Sequence, residues 1–418
     1  MSILSQFDQN IDAKACFAAV RNLLFPFNLK RGSATTNAEL ELTEFLGQPA
    51  VLVDSGRTAL YLILEQLKKQ NPNKTEVLVS GYTCVVVVNS ILKAGLKPVY
   101  LDITSINFKL DPESLHSRVS ANTLALIVQN TFGFVDDYDF LQSFCQQHDL
   151  SLIEDAAHSI GAKYKEQKIG TLGDFAFFSF GSNKIITSSR GGALTAKDQK
   201  ALLEIRELVL RLPFQPISQI LKHNFKTVCF YLFTKIYYEL KLGKAILAVF
   251  SKLGLFPKII TDQEKSLTVE EIECYQYPNS LARLLLGQIK SLPENLAHRE
   301  KIANIYAHNL NIDLISNLDF SAPNQAFLSF PISFDSSVDL KNLYAKLESF
   351  NLQLGLEWSF QNIVPQNIDF QMTKYELLSC SNAERIAKIT VCLPTHSKIT
   401  EAAAHKIIKL LNNEQLYR

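Results

Sequence analysis

Between about residues 50 and 210 the sequence repeats one pattern, a short apolar run followed by a stretch with helical period, and this alternation restricts the fold more than any other feature. AVLVDS precedes a helix predicted from Thr58, EVLVS precedes one after Tyr82, and PVYLDI precedes one at Pro112 to His116; LALIVQ, SLIEDA, AFFSF and GGALTA continue the series. Runs that are apolar at successive positions suit strands covered on both faces, and the helices between them make the sheet mostly parallel. The chain is therefore read as α/β. In such sheets ligands sit at the carboxyl ends of the strands. Ser55-Gly56, Tyr82-Thr83, Asp155, Ser179 and the loop after Ser179 are the positions where function is expected.

The 418 residues suffice for two domains. With 42 Lys and Arg against 41 Asp and Glu the net charge is +1, which supplies no basic field, and nucleic acid is not an expected partner. The seven cysteines (Cys16, Cys84, Cys145, Cys229, Cys274, Cys380, Cys392) are scattered without a C-x-x-C pair. Neither a disulfide framework nor a metal site is expected, and a reducing, cytoplasmic setting is. MSILSQFDQNIDAK carries Asp8 and Asp12 where a secretion signal needs a basic and then an apolar segment, so secretion is not expected.

After Lys200 the character changes. The apolar, aromatic stretch from Lys226 to Pro257 is interrupted by Lys235, Glu239, Lys241 and Lys244, so it falls short of the roughly 20 apolar residues that span a bilayer. Two amphipathic helices broken near Gly243 are predicted, packed on the body or on a second subunit. A peripheral membrane contact through 226–257, with lysines around an aromatic face, is the other reading. From Leu281 a long or kinked helix, a strand at FLSFPISF and helices at VDLKNLYAKLESF and EAAAHKIIKLLNN predict an α+β unit. The expected boundaries are a large domain over 1–280, with a helical insertion at about 212–262, and a small domain over 281–418.

Three local patterns carry chemistry, each with a plainer alternative. VDSGRTAL puts Ser55, Gly56, Arg57 and Thr58 between a strand and a helix start, a geometry that cradles a phosphate or simply turns the chain. In SLIEDAAHSIGA, Asp155 ends a strand with His158 three residues on; such an Asp caps turns as readily as it does chemistry. In GDFAFFSFGSNKIITSSRGGALTA, Ser179 ends a strand and Lys184 follows in a loop, where a lysine is solvated or catalytic.

Taken together and in this order, the three resemble the fold-type-I pyridoxal phosphate (PLP) enzymes, and more closely the DegT/DnrJ/EryC1/StrS sugar aminotransferases. SGRTAL, YTCVVVVNSILKAGLKPVYLDI, IEDAAHSIGAKY, GTLGDFAFFSFGSNKIITSSRGG and the later LLLGQIKSLPENLAHREKIANIYAHNL carry the likeness. It implies a large domain with a mostly parallel sheet, a smaller C-terminal α+β domain and a homodimer. It also implies that Lys184 forms the Schiff base with PLP and moves the proton, and that Asp155 faces the pyridine nitrogen. Gly56, Arg57, Thr58 and Ser179 would hold the phosphate, His158 would touch the ring's phenolic side, and Cys84 would stand where relatives place a stacking aromatic residue. Tyr82, Glu357 and Trp358 are the implied substrate contacts.

The sequence departs from the family at three places. Cys84 replaces the aromatic, Ser189-Arg190-Gly191-Gly192 replaces Gly-Glu-Gly-Gly, and the Asn-x-Arg-Met stretch is not recognisable around ECYQYPNSLA. The resemblance implies transfer of an amino group from glutamate or glutamine to a nucleotide-linked keto sugar, within polysaccharide or related synthesis. The alternatives are another PLP reaction, of lyase or dehydratase type, and a non-catalytic regulatory relative.

Overall fold

The computed structural model describes residues 4–5, 10–105, 108–240, 242–258, 260–266, 268, 272–315, 324–355 and 358–416. The apolar runs form seven strands of one sheet: β1 (Ala50–Val53), β2 (Glu76–Ser80), β3 (Lys97–Leu101), β4 (Thr123–Gln129), β5 (Ser151–Asp155), β6 (Phe175–Ser179) and β7 (Gly192–Ala196). Their spatial order is β1-β7-β6-β5-β4-β2-β3. β7 runs antiparallel to both neighbours, and the other pairs are parallel. β7 therefore begins at the edge where its neighbours end. The expected mostly parallel α/β sheet is present.

The side chains explain why the runs have no polar alternation. Val51, Val53, Val77, Val79, Ile127, Ile153 and Phe177 enter the apolar cluster on one face, whereas Leu52, Leu78, Leu126, Val128, Leu152 and Phe178 enter the cluster on the other. Helices α3 (Gly56–Gln70) and α4 (Val85–Lys93) cover the first face. The second is covered by α1 (Ala13–Leu24), α2 (Ser33–Leu46) and a helix from later in the chain, Asn279–Lys290. Arg283 of that helix donates to Asn22 of α1 at 2.6 Å.

The segment after residue 212 forms α5 (Ile217–Leu240) and α6 (Leu242–Lys252). α5 ends at Leu240 and α6 starts at Leu242, so the two helices divide near Gly243, which lies in the first turn of α6. α5 is tied to the body by Asn224, 0% exposed, whose Oδ1 accepts from Asn22 Nδ2 at 2.8 Å. The rings of Phe225, Phe230, Phe250 and Phe256 pack on one another at centroid distances of 5.6 to 6.2 Å. Among the described residues no helix is long and apolar enough to cross a membrane. The predicted long or kinked helix after Leu281 is two abutting helices, Asn279–Lys290 and α7 (Leu292–Asn309), meeting at Ser291 with Pro293 in the first turn of the second. The proline ring fits there because a first-turn N–H has no intrahelical partner. Strands β8 (Ser329–Ser333) and β9 (Thr390–Pro394) pair antiparallel in the C-terminal region.

Candidate active site

The end of β1 is the first wall of a cavity. Ser55 is extended, and its hydroxyl accepts the Thr58 N–H at 3.3 Å, which starts α3 at Gly56. The first backbone bond of the helix runs from Ala59 N–H to Ser55 O, so the N–H groups of Gly56 and Arg57 precede the helical ladder. A Cβ on Gly56 would stand 3.2 Å from Phe178 O, and one on Gly192 would fall 2.4 Å from the carbonyl carbon of Ser55. The two glycines let the start of α3 lie directly on β6 and β7.

Thr58 departs from the expectation. It is 0% exposed, its N–H is taken by Ser55, and its hydroxyl donates to Asp54 Oδ1 at 2.6 Å, so it shapes the turn instead of facing the cavity. Arg57 does line the cavity, but its guanidinium is paired with the buried carboxylate of Glu264. Asp54, 1% exposed, takes Arg190 Nε at 2.9 Å and Nη2 at 2.5 Å on Oδ2. The base found where relatives carry an acid is thus the counter-charge of a carboxylate adjoining the phosphate-cradle motif. Arg190→Ala leaves that carboxylate buried without its cation, and a loss of about 3 to 5 kcal/mol is expected in urea unfolding. A loss below about 1 kcal/mol would show the pair to be dispensable.

At the end of β5 two adjacent carboxylates do different things because strand residues alternate in direction. Glu154 Oε1 accepts from Leu172 N–H and Gly173 N–H, each at 2.7 Å, and Oε2 from Gly170 N–H at 2.8 Å, which fixes the turn before β6. Asp155 instead lines the cavity, 5% exposed, and holds a single backbone bond, from Ala157 N–H at 3.0 Å. Burial pushes its carboxyl up to about 6, against the opposing pull of that N–H and of Lys184. His158 also lines the cavity; its Nδ1 accepts from Phe132 N–H at 3.3 Å, and burial beside Lys184 keeps the ring neutral. Nδ1 is therefore the acceptor and Nε2 carries the proton.

The loop between β6 and β7 brings Ser179 and Lys184 to the same cavity. It is anchored beside the lysine by Ile185, whose carbonyl accepts from Asn10 at 3.0 Å and Asn295 at 2.8 Å, and whose side chain is 0% exposed. Cys84 is half-buried at the start of α4 and reaches the cavity next to Val364, its partner in a short parallel pairing. Trp358 lines the cavity as well. Tyr82 does not: it is 0% exposed and its hydroxyl donates to Trp358 O at 2.5 Å. The residue predicted as a substrate contact is a support for Trp358, because the turn after β2 directs its ring into the core against Phe108 and Phe132. Glu357 lies outside the described residues.

Sequence reasoning missed His223 and Lys226, which also line the cavity from α5. Their spacing, i and i+3 on one helix, was the available signal, since it puts both on one face. The space at this site, counted out into open solvent, is about 1170 Å³.

Residues 10–213 and 273–412 match the DegT/DnrJ/EryC1/StrS aminotransferase family. The chain belongs to that family. The unmatched interval between the two stretches contains α5 and α6. Among individual relatives, GDP-perosamine synthase of Caulobacter vibrioides is 36% identical over 159 residues, 38% of this chain and 42% of that protein. The spore coat polysaccharide biosynthesis protein SpsC of Bacillus subtilis is 34% identical over 183 residues, 44% of this chain and 46% of that protein. The matched stretch thus spans less than half the length of these family members. Among solved structures, Spr1654 of Streptococcus pneumoniae in its PLP form has a TM-score of 0.75 at 18% identity, with 99% of each chain covered. PseC of Helicobacter pylori, an aminotransferase involved in the biosynthesis of pseudoaminic acid, has a TM-score of 0.73 at 17% identity, with 98% of each covered. The family fold therefore extends over essentially the whole chain.

Proposed function

We propose that this protein is a PLP-dependent aminotransferase that transfers an amino group from glutamate or glutamine to a keto sugar carried on a nucleotide, and that it acts as a homodimer. The observation that carries the reading is the convergence of Lys184, Asp155 and the first turn of α3 on one cavity. The residues present fit the cofactor: the N–H groups of Gly56 and Arg57 precede the helical ladder at a helix start that lines the cavity, which suits a phosphate. Gly56, Arg57, Ser55 and Ser179 would hold that phosphate. When bound, the cofactor supplies a carbonyl carbon that takes up the amino group and a ring that withdraws electrons from the neighbouring carbon.

The chain's own groups supply the rest. With the cofactor bound, Lys184 on the loop would take the proton from the donor's α-carbon and hand it on. Asp155 would hold a proton at the ring nitrogen, and its burial would strengthen that pairing because little water competes. Neutral His158 would donate its Nε2–H towards the ring. Trp358, resting on Tyr82, excludes water from one side of the cavity. The likeness to GDP-perosamine synthase supports a nucleotide-sugar acceptor.

The test is spectroscopic. L-Glutamate added to the PLP-loaded protein is expected to remove the visible absorption band, and a 2-keto acid to restore it. A band indifferent to both glutamate and glutamine would sink the aminotransferase reading.

A further inference from the structure

Lys226 is a cation in a place where cations are costly. It is 5% exposed, its Nζ donates to the Ser182 hydroxyl at 2.8 Å, and it stands 5.6 Å from the centre of the Phe230 ring. Among the described residues no carboxylate pairs with it, whereas Arg57 and Arg190 on the same cavity wall are neutralised by Glu264 and Asp54. A buried charge without a counter-charge is destabilising by several kcal/mol. Burial accordingly pulls its ammonium down to about 8. Nor is the side chain there by looseness of the helix, since Asn224, two residues earlier, is locked to Asn22. His223, one turn before, meets the Ser189 hydroxyl at 3.0 Å and is held neutral by burial, so it brings no compensating negative charge.

What Lys226 shares is the cavity: Ser179, Ser182, Lys184 and the first turn of α3 line it together. We propose that Lys226 is the counter-charge of a phosphate group bound in this cavity, supplied by α5 of the same chain, with the N-terminus of α3 as its hydrogen-bonding partner. The inference rests on the aminotransferase reading for the two phosphates that reaction brings, the 5′-phosphate of PLP and the diphosphate of a nucleotide sugar. α5 lies outside the stretches matched to the family.

Lys226→Met keeps the apolar stem and discards the charge; Lys226→Gln, which still reaches Ser182, is the second variant should the first fold poorly. Dissociation constants of the full chain for PLP, pyridoxal and UDP are measured by fluorescence quenching, with inorganic phosphate followed by thermal shift. Loss of one charge-assisted hydrogen bond predicts a roughly 10- to 100-fold weakening. Weakening of PLP with pyridoxal unchanged identifies the cofactor phosphate as the partner, and Lys226→Arg should restore it. Weakening of UDP with PLP unchanged identifies the nucleotide. Equal weakening of PLP and pyridoxal, or no change in PLP, UDP and inorganic phosphate, overturns the proposal. Failure of the wild-type protein to bind PLP would count against the aminotransferase reading alone, with UDP and phosphate still deciding the role of Lys226.

Discussion

Lys184→Ala is expected to lower amino-group transfer by at least about 10⁴-fold while leaving the thermal midpoint within a few degrees of the wild type. On the proposed reading the loss is large because one side chain would both carry the cofactor and move the proton. The fold should survive because the loop is held beside the lysine by Ile185, through its buried side chain and its bonds from Asn10 and Asn295. Turnover with glutamate and a melting curve check the two halves separately. Borohydride reduction of the PLP-loaded wild type should leave the pyridoxyl group on the peptide containing Lys184. Lys165 and Lys168 are occupied elsewhere, with Asp139 and the Phe45 carbonyl. Lys258, which also lines the cavity, is paired with Asp262, so the informative competitor is Lys226. A pyridoxyl adduct there would overturn both the assignment of Lys184 and the phosphate role given to Lys226.

Asp155→Asn should cost activity and, in the cofactor-free protein, raise stability. An amide cannot keep the ring nitrogen charged, so transfer should fall roughly 10²- to 10³-fold, the size typical of a buried electrostatic group. Without cofactor, the same carboxyl is a burden at neutral pH. Its folded value of about 6 lies above the usual 3.8, so the folded state prefers the protonated form. That favourable contribution is complete below about pH 4 and is lost as pH rises through about 6. The displacement corresponds to about 3 kcal/mol, and Asn retains an oxygen to accept the Ala157 N–H. The variant should therefore be the more stable protein at pH 8 and lose that advantage below about pH 4. Equal unfolding curves at pH 8 would mean that Asp155 is not in a desolvated position.

How much of this was legible follows from which interactions are local. A strand covered on both faces must be apolar at successive positions, so the seven strands, their helices and the strand ends carrying Ser55, Asp155 and Ser179 could be read directly from the sequence. The order of those ends along the chain was enough to suggest the family, and Lys184 with it, because the chemistry fixes residue types at a sheet edge. Direction and distant pairing were not legible. Tyr82 sits beside the sheet edge in sequence, yet the turn sends it inward to Trp358, 276 residues away. Thr58 and Arg57 look alike as phosphate groups until Ser55, Asp54 and Glu264 take their polar atoms. Arg190 is an unexplained substitution until it meets Asp54, and Lys226 is one charge among several in an aromatic stretch until α5 docks on α1 and turns it into the cavity. The sequence by itself determined the sheet and the chemical groups at its edge, since periodicity and backbone capping act over a few residues. Only the tertiary structure decided which charges are paired with buried carboxylates and which line the cavity, since an ion pair depends on distance in space between groups that the chain keeps far apart.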